Sequence, residues 1–117
     1  MKLSEIATIL EATVLAGQKQ LERDIKNCGA SDLMSDILAG LSEGCVLLTG
    51  LPTIQAVKTA MVADVGAVVF VRKKIPPQEV IDLAESHGIP LLSSSFSMFV
   101  SCGRLHANGL SGLDGSR

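Results

Sequence analysis

The chain has 117 residues, 47% of them apolar and 19% charged, which suits one globular domain rather than a disordered segment. Ten basic against twelve acidic residues give a net charge of -2, so no long-range attraction draws nucleic acid or an anionic membrane to it. The aromatic share is 3%, with no Trp and no Tyr, which removes the usual platforms for stacking bases or sugars.

Taken in chain order, Ser4 to Ala12 carries Ile6, Ile9 and Leu10 at helical spacing behind Ser4 as N-cap. Glu5 and Glu11 interrupt this first apolar stretch, so no signal-peptide core forms there. Thr13 to Ala16 reads as a strand, Gly17 to Arg23 as a polar loop, and Asp24 to Ser31 as a second candidate strand. From Asp32 a helix is predicted, with Leu33, Met34, Ile37, Leu38 and Leu41 on one stripe, Ser31 or Asp32 as cap and Gly44 past the end. Cys45 to Thr49 is a buried strand, Thr53 to Val65 a helix, and Ala67 to Val71 (AVVFV) a strand of the kind covered on both faces. Pro77 opens the next helix, which Gly88 stops after His87, placed to meet the last carbonyls. Ile89 to Leu92 is the last strand and Ser95 to Asn108 the last helix. The longest run without Asp, Glu, Lys or Arg, Ser86 to Gly103, is broken by His87, Pro90 and several serines, which excludes an ordinary membrane span. A cytoplasmic protein is expected.

Strand and helix alternate from Cys45 onward, which specifies parallel strands with right-handed crossovers. The fold class is α/β: a small three-layer domain with a mostly parallel central sheet over residues 1–110, followed by a disordered tail over 111–117 that is polar and Gly-rich. Strand order is not readable from the pattern.

In open α/β sheets ligands bind beyond the carboxyl ends of the strands. Three loops fall there: Thr49-Gly50-Leu51-Pro52-Thr53, Arg72-Lys73-Lys74-Ile75-Pro76 and Ser93-Ser94-Ser95. Together they offer a glycine, hydroxyls, helix N-terminal amides and three cations, chemistry for a phosphate or carboxylate. The candidate ligand-binding residues are Asp32, Thr49, Gly50, Thr53, Arg72, Lys73, Ser93 and Ser94. Each has a plainer reading beside it, since Thr53 and the serines are also ordinary N-caps and an Arg-Lys-Lys run is most often solvated surface. Neither a Walker A loop nor the dinucleotide fingerprint is present, and no cofactor, metal site or catalytic residue is predicted. Cys28, Cys45 and Cys102 are widely spaced without a C-x-x-C pair and read as small buried apolar residues.

The segments GASDLMSDIL, CVLLTGLP, GAVVFVRKKIPPQEVIDLAESHGIPLLSS and SMFVSCGRL together resemble the DRTGG domain family, over about Lys2 to Leu110. The resemblance implies a fold like the N-terminal domains of HPr kinase/phosphorylase and of the Mur ligases. It also implies an accessory regulatory module, often dimerising, with chemistry left to neighbouring domains. Asp32 matches the Asp of the family's Asp-Arg segment, but Leu33 stands where the Arg would be and Leu51 where a second Gly is common. Single-domain relatives are sometimes labelled HPr serine kinases, yet the P-loop domain a kinase needs is missing, so no kinase activity is expected. Two functions follow as expectations. One is a non-catalytic, homodimeric regulatory module sensing a nucleotide or other phosphorylated metabolite. The other is a homodimeric interaction protein docking to a metabolic, redox or signalling enzyme, with Phe96, Phe99 and Val100 as a candidate interface and core packing of that stripe as the competing outcome.

Overall fold

The computed structural model describes residues 1–39 and 43–113. The elements run α1 (Leu3–Ile9), β1 (Thr13–Ala16), β2 (Cys28–Ala30), α2 (Met34–Ala39), β3 (Val46–Thr49), α3 (Ile54–Ala63), β4 (Ala67–Phe70), α4 (Gln78–Ser86), β5 (Leu91–Ser93) and α5 (Met98–Ala107). The five strands form one sheet in the order β1-β5-β4-β3-β2. Strands β2 to β5 are parallel and β1 is antiparallel to β5, with a bulge between Val14 and Ala16.

The runs CVLL and AVVFV are apolar throughout because both faces of the sheet are covered, as in parallel sheets generally. Side-chain alternation divides them between two cores. Leu47, Val68, Phe70 and Leu91 point to one face, where Ile37, Val57, Ala60, Val80 and Ala84 meet them from the helices. Val46, Leu48, Val69, Val71 and Leu92 point to the other, against Leu3, Ile6 and Leu10 of the N-terminal segment and Leu105 of α5. Strand order explains the division of helices. From β2 to β5 each strand lies beside its predecessor, so successive right-handed crossovers put α2, α3 and α4 on one face as neighbours. After β5 the chain changes face, and α5 lies beside α1 over β2 and β3.

Several expectations shift at the edges of elements. Helix α1 begins at Leu3 rather than after Ser4, and the Lys2 amide donates to Glu5 Oε1 at 3.1 Å. The polar stretch expected over Gly17 to Arg23 contains a 3₁₀ turn, Gln18–Gln20. The candidate strand over Asp24 to Ser31 shortens to Cys28–Ala30, and the helix expected from Asp32 starts at Met34. Its stripe is corrected too: Ile37 is buried, whereas Leu33 and Leu38 are 60% and 52% exposed, and Leu41 lies outside the described residues. The last helix begins at Met98, after Ser97 as N-cap, instead of at Ser95. His87 holds the C-cap of α4, where its ring Nδ1 lies 3.0 Å from the Leu83 carbonyl. Cys45 is buried, but Cys28 and Cys102 are only partly so.

Ser111 to Leu113, expected as the start of a loose tail, instead lie along the free edge of β2. The Cys28 amide donates to the Ser111 carbonyl at 2.9 Å, and the Leu113 amide donates back to the Cys28 carbonyl at 3.1 Å. Gly29 makes room for this strap, because a Cβ there would sit 2.6 Å from Leu113 Cδ1.

Candidate functional site

The carboxyl ends of β2, β3, β4 and β5 come together on one edge of the sheet, and hydrogen bonds continue past the strands to hold the loops in step. The Ser31 amide donates to Leu48 O (3.1 Å), the Val71 amide to Thr49 O (3.1 Å) and the Ser94 amide to Phe70 O (2.9 Å). The three loops chosen from the sequence therefore share one edge.

At this edge lies a cleft of about 440 Å³, between Ser31–Asp32, Val71–Arg72 and Ser97 to Phe99 at the start of α5. Arg72 enters it from an unusual backbone. Arg72 and Lys73 are consecutive residues with φ of 58° and 61°, a left-handed conformation that side chains with a Cβ adopt at a cost. Three contacts hold the turn. The Arg72 amide donates to Phe96 O at 2.8 Å, the Lys73 amide to Ser94 O at 2.9 Å, and Ser93 Oγ donates to Lys74 O at 2.9 Å. The Arg72 side chain has no hydrogen-bond or ion-pair partner among the described residues.

Asp32 faces Arg72 across Gly50. Its Oδ1 accepts the Gly50 amide at 2.6 Å and the Thr49 hydroxyl at 3.1 Å, while Oδ2 has no partner among the described residues. Gly50 eases this approach. A Cβ at position 50 would lie 3.2 Å from Arg72 Nη2 and 3.4 Å from each Asp32 oxygen. The carboxylate thus occupies the amide that an N-terminal anion loop would present to a ligand, and it serves as latch between the β2 and β3 loops rather than as the cap of α2.

The other sequence-chosen residues divide differently. The Thr53 hydroxyl caps α3 by accepting the Ala56 amide at 3.2 Å. Thr49 Oγ1, besides donating to Asp32, receives the Leu51 amide at 3.3 Å. Ser94 Oγ is turned into the interior toward Leu10 O at 2.7 Å, and Ser93 is spent on the Arg72 turn. Lys73 is exposed and lies outside the cleft lining. The structure brings Asp32, Gly50 and Arg72 together; the four hydroxyls brace the loops around them.

Sequence reasoning missed the third wall. Ser97 accepts the Val100 amide at 3.2 Å as N-cap of α5, and Met98 and Phe99 follow it into the cleft lining. Phe99 is 86% exposed, so the expectation that this stripe packs into the core is corrected for it. Phe96 precedes the helix and lies under the Arg104 guanidinium, 4.0 Å from the ring centroid. The available signal was Ser97 as a helix N-cap directly after a strand-end loop.

Fold and cleft define a small open-sheet α/β domain with a ligand-sized recess at its carboxyl edge. Among the described residues no group of His, Cys, Asp and Glu side chains is placed to hold a metal ion, and no helix is long and apolar enough to cross a membrane. The sequence pattern of the DRTGG domain matches residues 5–107, and the chain belongs to that family. The same fold occurs in the CBS and DRTGG domains of the regulatory region of Clostridium perfringens pyrophosphatase, crystallised with the activator diadenosine tetraphosphate. The TM-score is 0.75 at 17% identity, over 99% of this chain and 50% of that one. The chain therefore spans half the length of that regulatory region. No curated protein matches the sequence.

Proposed function

We propose that the protein is a cytoplasmic, non-catalytic regulatory module that binds a small phosphorylated ligand in the Asp32–Arg72 cleft and transmits its occupancy to a protein partner, acting as a homodimer. The observation that carries this reading is the unpartnered Arg72 guanidinium, held at a ligand-sized recess by a backbone that costs free energy to maintain. Strain of that kind is retained where the surroundings impose it, and it concentrates at binding sites. Family membership and the nucleotide activator of the pyrophosphatase region support the reading from outside the chain.

Thermal melting with inorganic phosphate, AMP, ATP, acetyl phosphate and coenzyme A tests it. A ligand at 100 times its Kd adds about 2.7 kcal/mol to stability. Arg72→Gly keeps the left-handed backbone while removing the guanidinium, and it is expected to abolish the shift. No shift with any of these compounds, or an undiminished shift in the variant, would overturn the assignment.

A docking module without a ligand is the second reading, favoured by the exposure of Leu33, Leu38 and Val62 on α2, its approach loop and α3. Sedimentation across a concentration series separates the oligomeric part of the proposal, for a protein that stays monomeric when concentrated has no dimer to explain.

A further inference from the structure

We infer that the cleft is shaped for a purine ribonucleoside monophosphate, with the base on Phe99, the ribose hydroxyls on Asp32 Oδ2 and the phosphate on Arg72. This rests on the anion-binding reading above and goes further by assigning each wall to one part of the ligand. Three observations converge.

The first is the Phe99 ring. It stands 86% exposed on the cleft wall, outside the stripe of Met98, Ser101, Cys102 and Leu105 through which α5 meets the sheet. An exposed aromatic face beside a recess that holds an arginine and a carboxylate is a stacking platform, and a purine offers the larger surface to it.

The second is the division of labour within the Asp32 carboxylate. Oδ1 is fixed by the Gly50 amide and the Thr49 hydroxyl, which sets the plane of the group and leaves Oδ2 as an acceptor. A ligand in contact with that oxygen has to bring donors. Vicinal ribose hydroxyls do so, as at the acidic residue of dinucleotide sites.

The third is charge. Among the described residues Arg72 is the one cation lining the recess and Asp32 the one anion, while Lys73 and Lys74 are exposed outside it. One guanidinium matches one phosphate in bidentate fashion. Each further phosphate would bring negative charge toward Asp32 with no second cation lining the recess among the described residues, so polyphosphate ligands are disfavoured inside it. The cleft's volume of about 440 Å³ falls within the usual range for small-ligand sites.

Calorimetric titration of the full chain with AMP, GMP, ribose 5-phosphate, 2′,3′-dideoxy-AMP, ATP and inorganic phosphate tests the inference. The purine monophosphates are expected to bind on the order of tenfold more tightly than ribose 5-phosphate, the value of one base stacked on an aromatic ring. Dideoxy-AMP should be weaker by a similar factor and ATP no tighter than AMP. Phe99→Ala, at an exposed position, should bring AMP down to the ribose 5-phosphate level and leave phosphate binding unchanged. If AMP and ribose 5-phosphate bind alike, or Phe99→Ala has no effect, the nucleoside assignment falls while the anion site stands. Equal binding of AMP and its dideoxy form removes Asp32 from the assignment, and tighter binding of ATP removes the monophosphate. If none binds, inorganic phosphate included, the anion site falls as well.

Discussion

Asp32→Ala is the most direct probe of how the site is held together. The substitution removes the acceptor of two hydrogen bonds, from the Gly50 amide at 2.6 Å and the Thr49 hydroxyl at 3.1 Å. Gly50 and Thr49 are both buried, so their donors lose the carboxylate without gaining ready access to water. A hydrogen bond to a charged acceptor contributes about 1.5–3 kcal/mol. Asp32 itself is exposed, and solvent screening pulls the value toward the lower end. The expected loss is about 2 kcal/mol, because the second, longer bond adds to a screened first one. Urea unfolding at unchanged m reads this directly. Hydrogen exchange at the Gly50 amide should quicken by about 30-fold if opening of this latch governs it. Asp32→Asn retains a neutral acceptor and is expected to recover about half of the loss. A change below about 0.5 kcal/mol in Asp32→Ala, or identical stability in the two variants, would show that the carboxylate does not secure the β2 and β3 loops.

Lys73→Gly relieves one of two adjacent left-handed residues (φ 61°) and keeps its amide for Ser94 O; thermal unfolding should show stabilisation of about 0.5–1 kcal/mol. Ser101 is fully buried with no partner for its hydroxyl among the described residues, so Ser101→Ala should be neutral or stabilising by up to about 1 kcal/mol in urea. Burial pushes the Cys28 thiol up to about 12 and the Cys45 thiol up to about 11, from an ordinary value of 9.0. Below pH 9 these thiols are protonated in folded and unfolded chains alike. Above it the unfolded chain ionises first, so stability is expected to fall as pH rises from 9 toward 12. Cys28→Ala should flatten that decline in urea midpoints measured at pH 8 to 11; an unchanged slope would refute the buried-thiol account.

The two central strands were legible because their information is local: CVLL and AVVFV are apolar at every position, as only a doubly covered strand requires. Strand β2 was foreseen within Asp24 to Ser31 but its bounds were not, since Cys-Gly-Ala has little β preference of its own. It is a strand because β3 pairs with it on one side and Ser111 to Leu113 on the other, the latter partner more than eighty residues away. The site divides in the same manner. The three loops followed from alternation alone, because parallel strands put all their carboxyl ends on one edge. Asp32 was named both as a candidate ligand-binding residue and as a cap; its partners, Thr49 and Gly50, lie across a strand pair and were not legible. The left-handed backbone of Arg72 and Lys73 is set by carbonyls at Phe96 and Ser94 that nothing in Arg-Lys-Lys announces. Spacing left Phe96, Phe99 and Val100 open between interface and core; α5 begins too late to include Phe96 and turns Met98, Ser101, Cys102 and Leu105 inward, which leaves Phe99 outside.

The strap over β2 bears on how copies of this domain can meet. An unpaired strand edge invites another chain to add itself to the sheet, and folded proteins blunt such edges with short, bulged or covered strands. Here one outer strand already carries Ser111 to Leu113, and the other, β1, is four residues long with a bulge before Ala16. Continuous sheet growth from molecule to molecule is therefore obstructed at both ends. The proposed dimer would have to form through the helical faces, so concentrating the protein should leave the amide protection of β1 and β2 unchanged.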